Sequence, residues 1–115
     1  MAAMTRMRTD PATGVPNDLM LEYYSQRATG AGLILTECAA VSKRGEGFPG
    51  AGNLYTKEHA EGWKRVVNSV KSKGAHMFAQ IFHAGRNSHP FMTGGLDLWA
   101  PSAVAITGRI PGQKI

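Results

Sequence analysis

Two nearly continuous apolar runs, Leu33–Glu37 and Ala75–Phe82, flank a segment of helical periodicity, and this alternation constrains the fold more than any other feature. Strands that lack polar alternation are covered on both faces and belong to parallel sheets. Between the runs, Thr56 is placed to cap a helix with Glu58 in its first turn. Trp63, Val66, Val67 and Val70 form its apolar stripe, and Gly74 ends it after Lys71 and Lys73. Ahead of the first run, Asn17 caps a second helix that runs towards Thr29. Leu19, Met20, Tyr23, Tyr24, Arg27 and Ala28 give that helix an apolar face, and Gly30 and Gly32 stop it. Met1–Met4, leading into Thr5, reads as an opening strand, with turn signals following at Asp10-Pro11 and Gly14-Val15-Pro16.

The order is therefore β-α-β-α-β, with parallel strands and right-handed crossovers expected. The doubly wound sheet and the eightfold barrel share that order. A barrel takes about 250 residues, so a chain of 115 is either a small open sheet or a piece of something larger. From Cys38 to Tyr55 a long loop is expected, with glycines at 45, 47, 50 and 52; loops of that length are usually functional or disordered. Beyond His83, the breakers Pro90, Gly94, Gly95, Pro101, Gly108 and Pro111 leave no further helix or strand in the reading.

Phe78–His89 begins as a strand and runs into a loop with two histidines, an arginine and a serine. Ligands meet the carboxyl ends of parallel strands, so this stretch is a candidate site wall. Gly45-Glu46-Gly47-Phe48-Pro49-Gly50 spells G-x-G-x-x-G, but no strand leads directly into it and no helix follows until Thr56, so the dinucleotide fingerprint fails on context. His59, His76, His83 and His89 contain no i, i+4 pair and have no second cysteine to support them, and no metal site is expected. Cys38 follows a buried strand without a neighbouring positive charge, and reads as a small apolar residue. Gln80 places an amide among apolar neighbours, where it either bonds the backbone or serves a ligand. Thr5, Cys38 and Gln80 each fall near the carboxyl end of a different strand, and in a barrel those ends converge.

Charge narrows the function. Thirteen Lys and Arg against eight Asp and Glu give +5, but the charges are scattered without a run of five. That is a solvated surface rather than a nucleic-acid footprint, and it also suits an anionic cofactor. One cysteine excludes an intrachain disulfide. No apolar run approaches the roughly 20 residues of a membrane span, and no secretory core follows Met1, so no membrane partner and a cytoplasmic location are expected.

Five collinear blocks carry a resemblance: Met1–Arg8; Pro16-Asn17-Asp18 leading to Tyr23–Ala28; Gly32–Glu37; Gln80–Arg86 with Ser88-His89; and Ala100-Pro101-Ser102-Ala103. Together they resemble the Old Yellow Enzyme family, FMN-dependent and NAD(P)H-using ene-reductases built on a (β/α)8 TIM barrel. The resemblance implies an oxidoreductase that passes hydride from NADPH or NADH through the flavin to an α,β-unsaturated carbonyl (enone), a quinone or a related acceptor. It implies that Thr5 donates to flavin O4, that Ala3 and Met4 run their backbone along the ring, and that Cys38 lies where glycine or alanine usually contacts the flavin. Gln80 would bond the pyrimidine edge, and Phe82 would wall the substrate pocket. The family's His-x-x-Asn or His-x-x-His pair, its proton-donating tyrosine and its flavin-holding arginines come later and have no counterpart here, so no catalytic residue is expected within the chain. The resemblance thus implies a single FMN-binding domain present as roughly its first three βα units, truncated at both ends, with Met1 internal. Alone, such a piece is expected to be inactive and to aggregate or stay molten. The alternative is a non-catalytic truncated product or a small basic binding module without flavin chemistry.

Overall fold

The computed structural model describes residues 1–107; the breakers Gly108 and Pro111 lie outside the described residues. Helix α1 spans Asp18–Ala28, strand β1 Leu33–Ala40, strand β2 Gly52–Asn53, helix α2 Lys57–Ser72, strand β3 His76–Phe82 and a short helix α3 Pro90–Thr93. The sheet is parallel, in the order β2-β1-β3, with β1 central.

Both long helices start where their capping residues stand. The Asn17 side chain accepts from the Met20 N–H, and Asp18 follows in the first turn. Thr56 accepts from the His59 N–H, while the His59 ring accepts from the Thr56 N–H, a capping box with histidine in the place usually held by Glu or Gln. His59 is buried, and its Nε2 sits 2.8 Å from the Thr13 carbonyl. With Nδ1 accepting, Nε2 carries the proton and donates, which ties the start of α2 to the turn before α1.

One core holds these elements together. Met20, Tyr24 and Ala28 from α1 meet Trp63, Val66 and Val70 from α2 over Ile34 and Ala39 of β1. Each large side chain buried there contributes about 1.5–3 kcal/mol. The other face of the sheet is uncovered: Phe78, opposite Leu35, is 63% exposed, and Leu33 is 45% exposed. Ile81, on the helix-side face, is 69% exposed, since among the described residues no helix packs beside α2 at that edge. A sheet with helices on one side and bare apolar residues on the other has the cross-section of a barrel wall.

Three expectations need correction. No strand is assigned over residues 1–8. Met1 alone makes ladder contacts, donating to the Leu33 carbonyl and accepting from the Leu35 N–H, and the segment then passes to side-chain contacts. The third strand of the sheet is β2, inside the stretch read as loop; its two residues pair with Ala39 and Ala40, too short a run for any periodicity to mark it. Pro90 and Gly94 do not merely break the chain. Proline at the first turn and a left-handed glycine at the end bound α3, an arrangement that suits both residues.

Candidate functional site at the carboxyl ends of the strands

The register of β1 against β3 breaks once. Leu35 stands opposite Phe78 and Cys38 opposite Gln80, so β1 carries one extra residue between them. Such a bulge re-aims the residues around it. The Thr36 hydroxyl fills the gap, accepting from the Gln80 N–H at 2.9 Å and donating to the Glu37 carbonyl at 2.7 Å. The N–H groups of Glu37 and Cys38 turn to hydroxyl oxygens, Tyr24 Oη at 2.7 Å and Thr5 Oγ1 at 3.4 Å.

The bulge assembles the site. Thr5 Oγ1 donates to Cys38 Sγ at 3.0 Å, and Cys38 faces Gln80 across the ladder. Three residues far apart in sequence therefore lie side by side at the carboxyl end of the sheet, as the barrel geometry requires. Burial pushes the Cys38 thiol above its ordinary value; the Thr5 hydroxyl opposes that shift and the Glu37 carboxylate adds to it. The thiol therefore stays protonated at neutral pH, a neutral group rather than a nucleophile. Gln80 is exposed on the open face, and among the described residues its amide makes no protein hydrogen bond. Met4 is 55% exposed and Ala3 is half-buried in the same segment.

Phe82 lies at the rim, where Phe48 stacks on it with ring centroids 5.7 Å apart. The glycine-rich loop gets close enough for this because of two of its glycines. A Cβ on Gly47 would stand 2.6 Å from Ala84 Cβ, and Gly50, at φ +71°, would put one 3.0 Å from the Met7 carbonyl. The G-x-G-x-x-G pattern is thus explained by packing. Glu46 anchors the loop through Lys43, Asn53 and Tyr55. Further along, Arg44 stacks over Trp99 at 4.7 Å and Arg86 donates to Ser102 Oγ.

His83 and His89 each accept through Nδ1 from the backbone N–H two residues on, at Gly85 and Phe91. No group of three His, Cys, Asp or Glu residues able to hold a metal occurs among the described residues. Within the same residues, no helix is long and apolar enough to cross a membrane.

Sequence reading missed Glu37 as a buried group. It is fully buried, and neither carboxylate oxygen has a partner at hydrogen-bond distance. Burial raises its pKa to about 7, and the facing N–H groups of Arg6, Gly52 and Met7, with the Arg6 charge, hold it down only in part. A glutamate closing an apolar strand was the available signal. The spacing puts Tyr24 on the apolar face of α1; its ring is in the core, and its hydroxyl serves the bulge.

Helices backing one face of a three-stranded parallel sheet, with polar groups gathered at its carboxyl end, make an α/β piece with the form of a partial barrel. The model of the NADH:flavin oxidoreductase / NADH oxidase family matches residues 1–106, and the chain belongs to that family, the Old Yellow Enzyme group. FMN and NAD(P)H are the cofactors of that family. The chain is 42% identical over 111 residues to flavin oxidoreductase hxnT of Emericella nidulans, covering 94% of this chain and 29% of that protein. It is 44% identical over 89 residues to 12-oxophytodienoate reductase 7 of Oryza sativa, covering 77% of this chain and 22% of that one. The structure of the old yellow enzyme homologue from Zymomonas mobilis superposes with a TM-score of 0.87 at 37% identity, over 94% of this chain and 30% of that chain. The chain thus spans under a third of the length of these proteins.

Proposed function

We propose that residues 1–115 form roughly the first three βα units of an FMN-binding barrel, and that the protein they belong to is an NAD(P)H-dependent oxidoreductase acting on enones, quinones or related small acceptors. One observation carries the reading: the bulge brings Thr5, Cys38 and Gln80 together at the carboxyl end of a sheet whose inner face is bare. The residues present fit a flavin edge. Gln80 offers a free amide, with both a donor and an acceptor for the pyrimidine ring. The Thr5 hydroxyl is a donor that can turn from Cys38 to the flavin O4 position, and the segment of half-buried Ala3 and exposed Met4 would give the ring a backbone to lie along. Phe82, braced by Phe48, would wall the acceptor pocket.

The chemistry that FMN supplies when bound is hydride transfer, from the nicotinamide to the flavin and on to the β-carbon of the acceptor. The work of this chain's residues is to orient the ring and to set how readily it accepts electrons. With FMN bound, Thr5 would favour the reduced state by donating where negative charge gathers. The neutral Cys38 thiol adds no charge beside the ring. No proton donor for the acceptor is assigned within the chain, and the cytoplasm is the compartment proposed.

The test is expression of the open reading frame, extended on both sides where it continues, followed by purification. A yellow protein that oxidises NADPH with cyclohexenone or menadione supports the reading. A folded, colourless product that takes up no FMN overturns it.

A further inference from the structure

Thr36 and Glu37 stand on β1 where β3 has Ala79 alone, between the pairs Leu35–Phe78 and Cys38–Gln80. An unbroken ladder from Leu35 would set Glu37 opposite Gln80 and turn Cys38 to the other face, because side chains alternate along a strand. An inserted residue also disrupts the ladder's hydrogen bonds, and here one side-chain oxygen replaces them. Thr36 Oγ1 donates to the Glu37 carbonyl at 2.7 Å and accepts from the Gln80 N–H at 2.9 Å. The first contact holds the peptide unit that leads into Cys38; the second holds the unit that leads into Gln80. At the other end of the first unit, the Cys38 N–H donates to Thr5 Oγ1 at 3.4 Å. One chain of bonds therefore runs from Thr5 through the Glu37–Cys38 peptide and Thr36 to Gln80. Thr36 is 2% exposed, so bulk water does not stand in for its hydroxyl.

We propose that Thr36 is a positioning residue: its hydroxyl locks the two peptide units that lead into Cys38 and Gln80, and so sets the Gln80 amide against the Thr5–Cys38 pair at the edge where the flavin is proposed to bind. The hydroxyl is buried within the sheet and acts through the backbone of Cys38 and Gln80. Its link to flavin chemistry rests on the proposed function; its control of the bulge does not.

Two substitutions in the complete protein test this. Thr36→Val keeps the shape and removes both bonds, whereas Thr36→Ser keeps both bonds and removes a methyl group. Hydrogen exchange of the Gln80 amide should rise about tenfold in Thr36→Val, the value of one net hydrogen bond, while the Val66 and Val70 amides of α2 stay at the wild-type rate. In Thr36→Ser the Gln80 amide should stay slow. FMN affinity should fall about tenfold in Thr36→Val and hold in Thr36→Ser. In a Gln80→Leu background, Thr36→Val should cost no more than about twofold further, because the two residues act through one contact. Wild-type exchange at Gln80 in Thr36→Val, a loss that Thr36→Ser shares in full, or a second tenfold loss in the Gln80→Leu background overturns the proposal. Should Thr36→Val not fold, Thr36→Cys, whose thiol is a weak acceptor, takes its place in the same comparison with Thr36→Ser. A folded protein that binds no FMN would sink the proposed function and leave the exchange result standing.

Discussion

Thr5 Oγ1 donates to Cys38 Sγ at 3.0 Å and, 33 positions apart in sequence, the two residues share one edge of the sheet. The same oxygen accepts from the Cys38 N–H at 3.4 Å, so a threonine side chain takes the place of a neighbouring strand's carbonyl. This is why residues 1–8 make no continuous ladder and still lie where a barrel's first strand would.

Thr5→Val removes both contacts and keeps the shape. With FMN bound, the expected result is a more negative flavin midpoint potential by roughly 30–60 mV, the size of about 1.4 kcal/mol of lost donor stabilisation. Potentiometric titration of both proteins reads it, and an equal potential in the two would remove Thr5 from the proposed role.

Gln80→Leu should weaken FMN binding by about tenfold, the value of one or two net hydrogen bonds. Stability should hold, because the amide is exposed and its backbone N–H, not its side chain, bonds Thr36. Fluorescence titration with FMN separates the two effects. Lost stability with unchanged affinity would show the amide to be structural.

Glu37 makes stability depend on pH with a defined sign. Its pKa rises from 4.5 to about 7 on folding, so the folded state holds the proton more tightly than the unfolded state. The contribution is fully present below about pH 4.5 and is lost as pH rises through 7, about 3 kcal/mol in all. Arg6, Cys38 and Tyr24 are the charged or titratable groups that face it. Denaturant melts of wild type and Glu37→Gln from pH 5 to 8 should therefore diverge, with the variant relatively more stable at the alkaline end. Parallel curves would place the titration elsewhere.

His59→Ala should cost about 2–3 kcal/mol. The ring is buried and joins the Tyr55 and Thr56 N–H groups to the Thr13 carbonyl. Thermal unfolding checks the loss, and a shift no larger than that of an exposed substitution such as His76→Ala would contradict it.

The fold was legible wherever one element alone carried the signal. Asn17 and Thr56 cap the helices as their chemistry dictates, and the apolar runs at 33 and 75 open the two long strands. The parallel order follows from the helix between them. What was not legible depends on two segments at once. The β1 bulge exists only relative to β3, and it decides that Thr5, Cys38 and Gln80 meet. The two-residue β2 is created by its partner's edge, and the left-handed turn at Met7 is announced by no pattern in residues 5–8. The histidines were visible as polar groups and are explained by local backbone bonds, which single-residue reading cannot assign.

The central claim is that the Thr5–Cys38–Gln80 edge holds a flavin, and the midpoint potential and affinity of FMN in the complete protein test it together. The account predicts stoichiometric FMN in the purified protein, weakened about tenfold by Gln80→Leu and shifted in potential by Thr5→Val. A folded protein that binds no FMN, or binds it with affinity and potential indifferent to both substitutions, would contradict it.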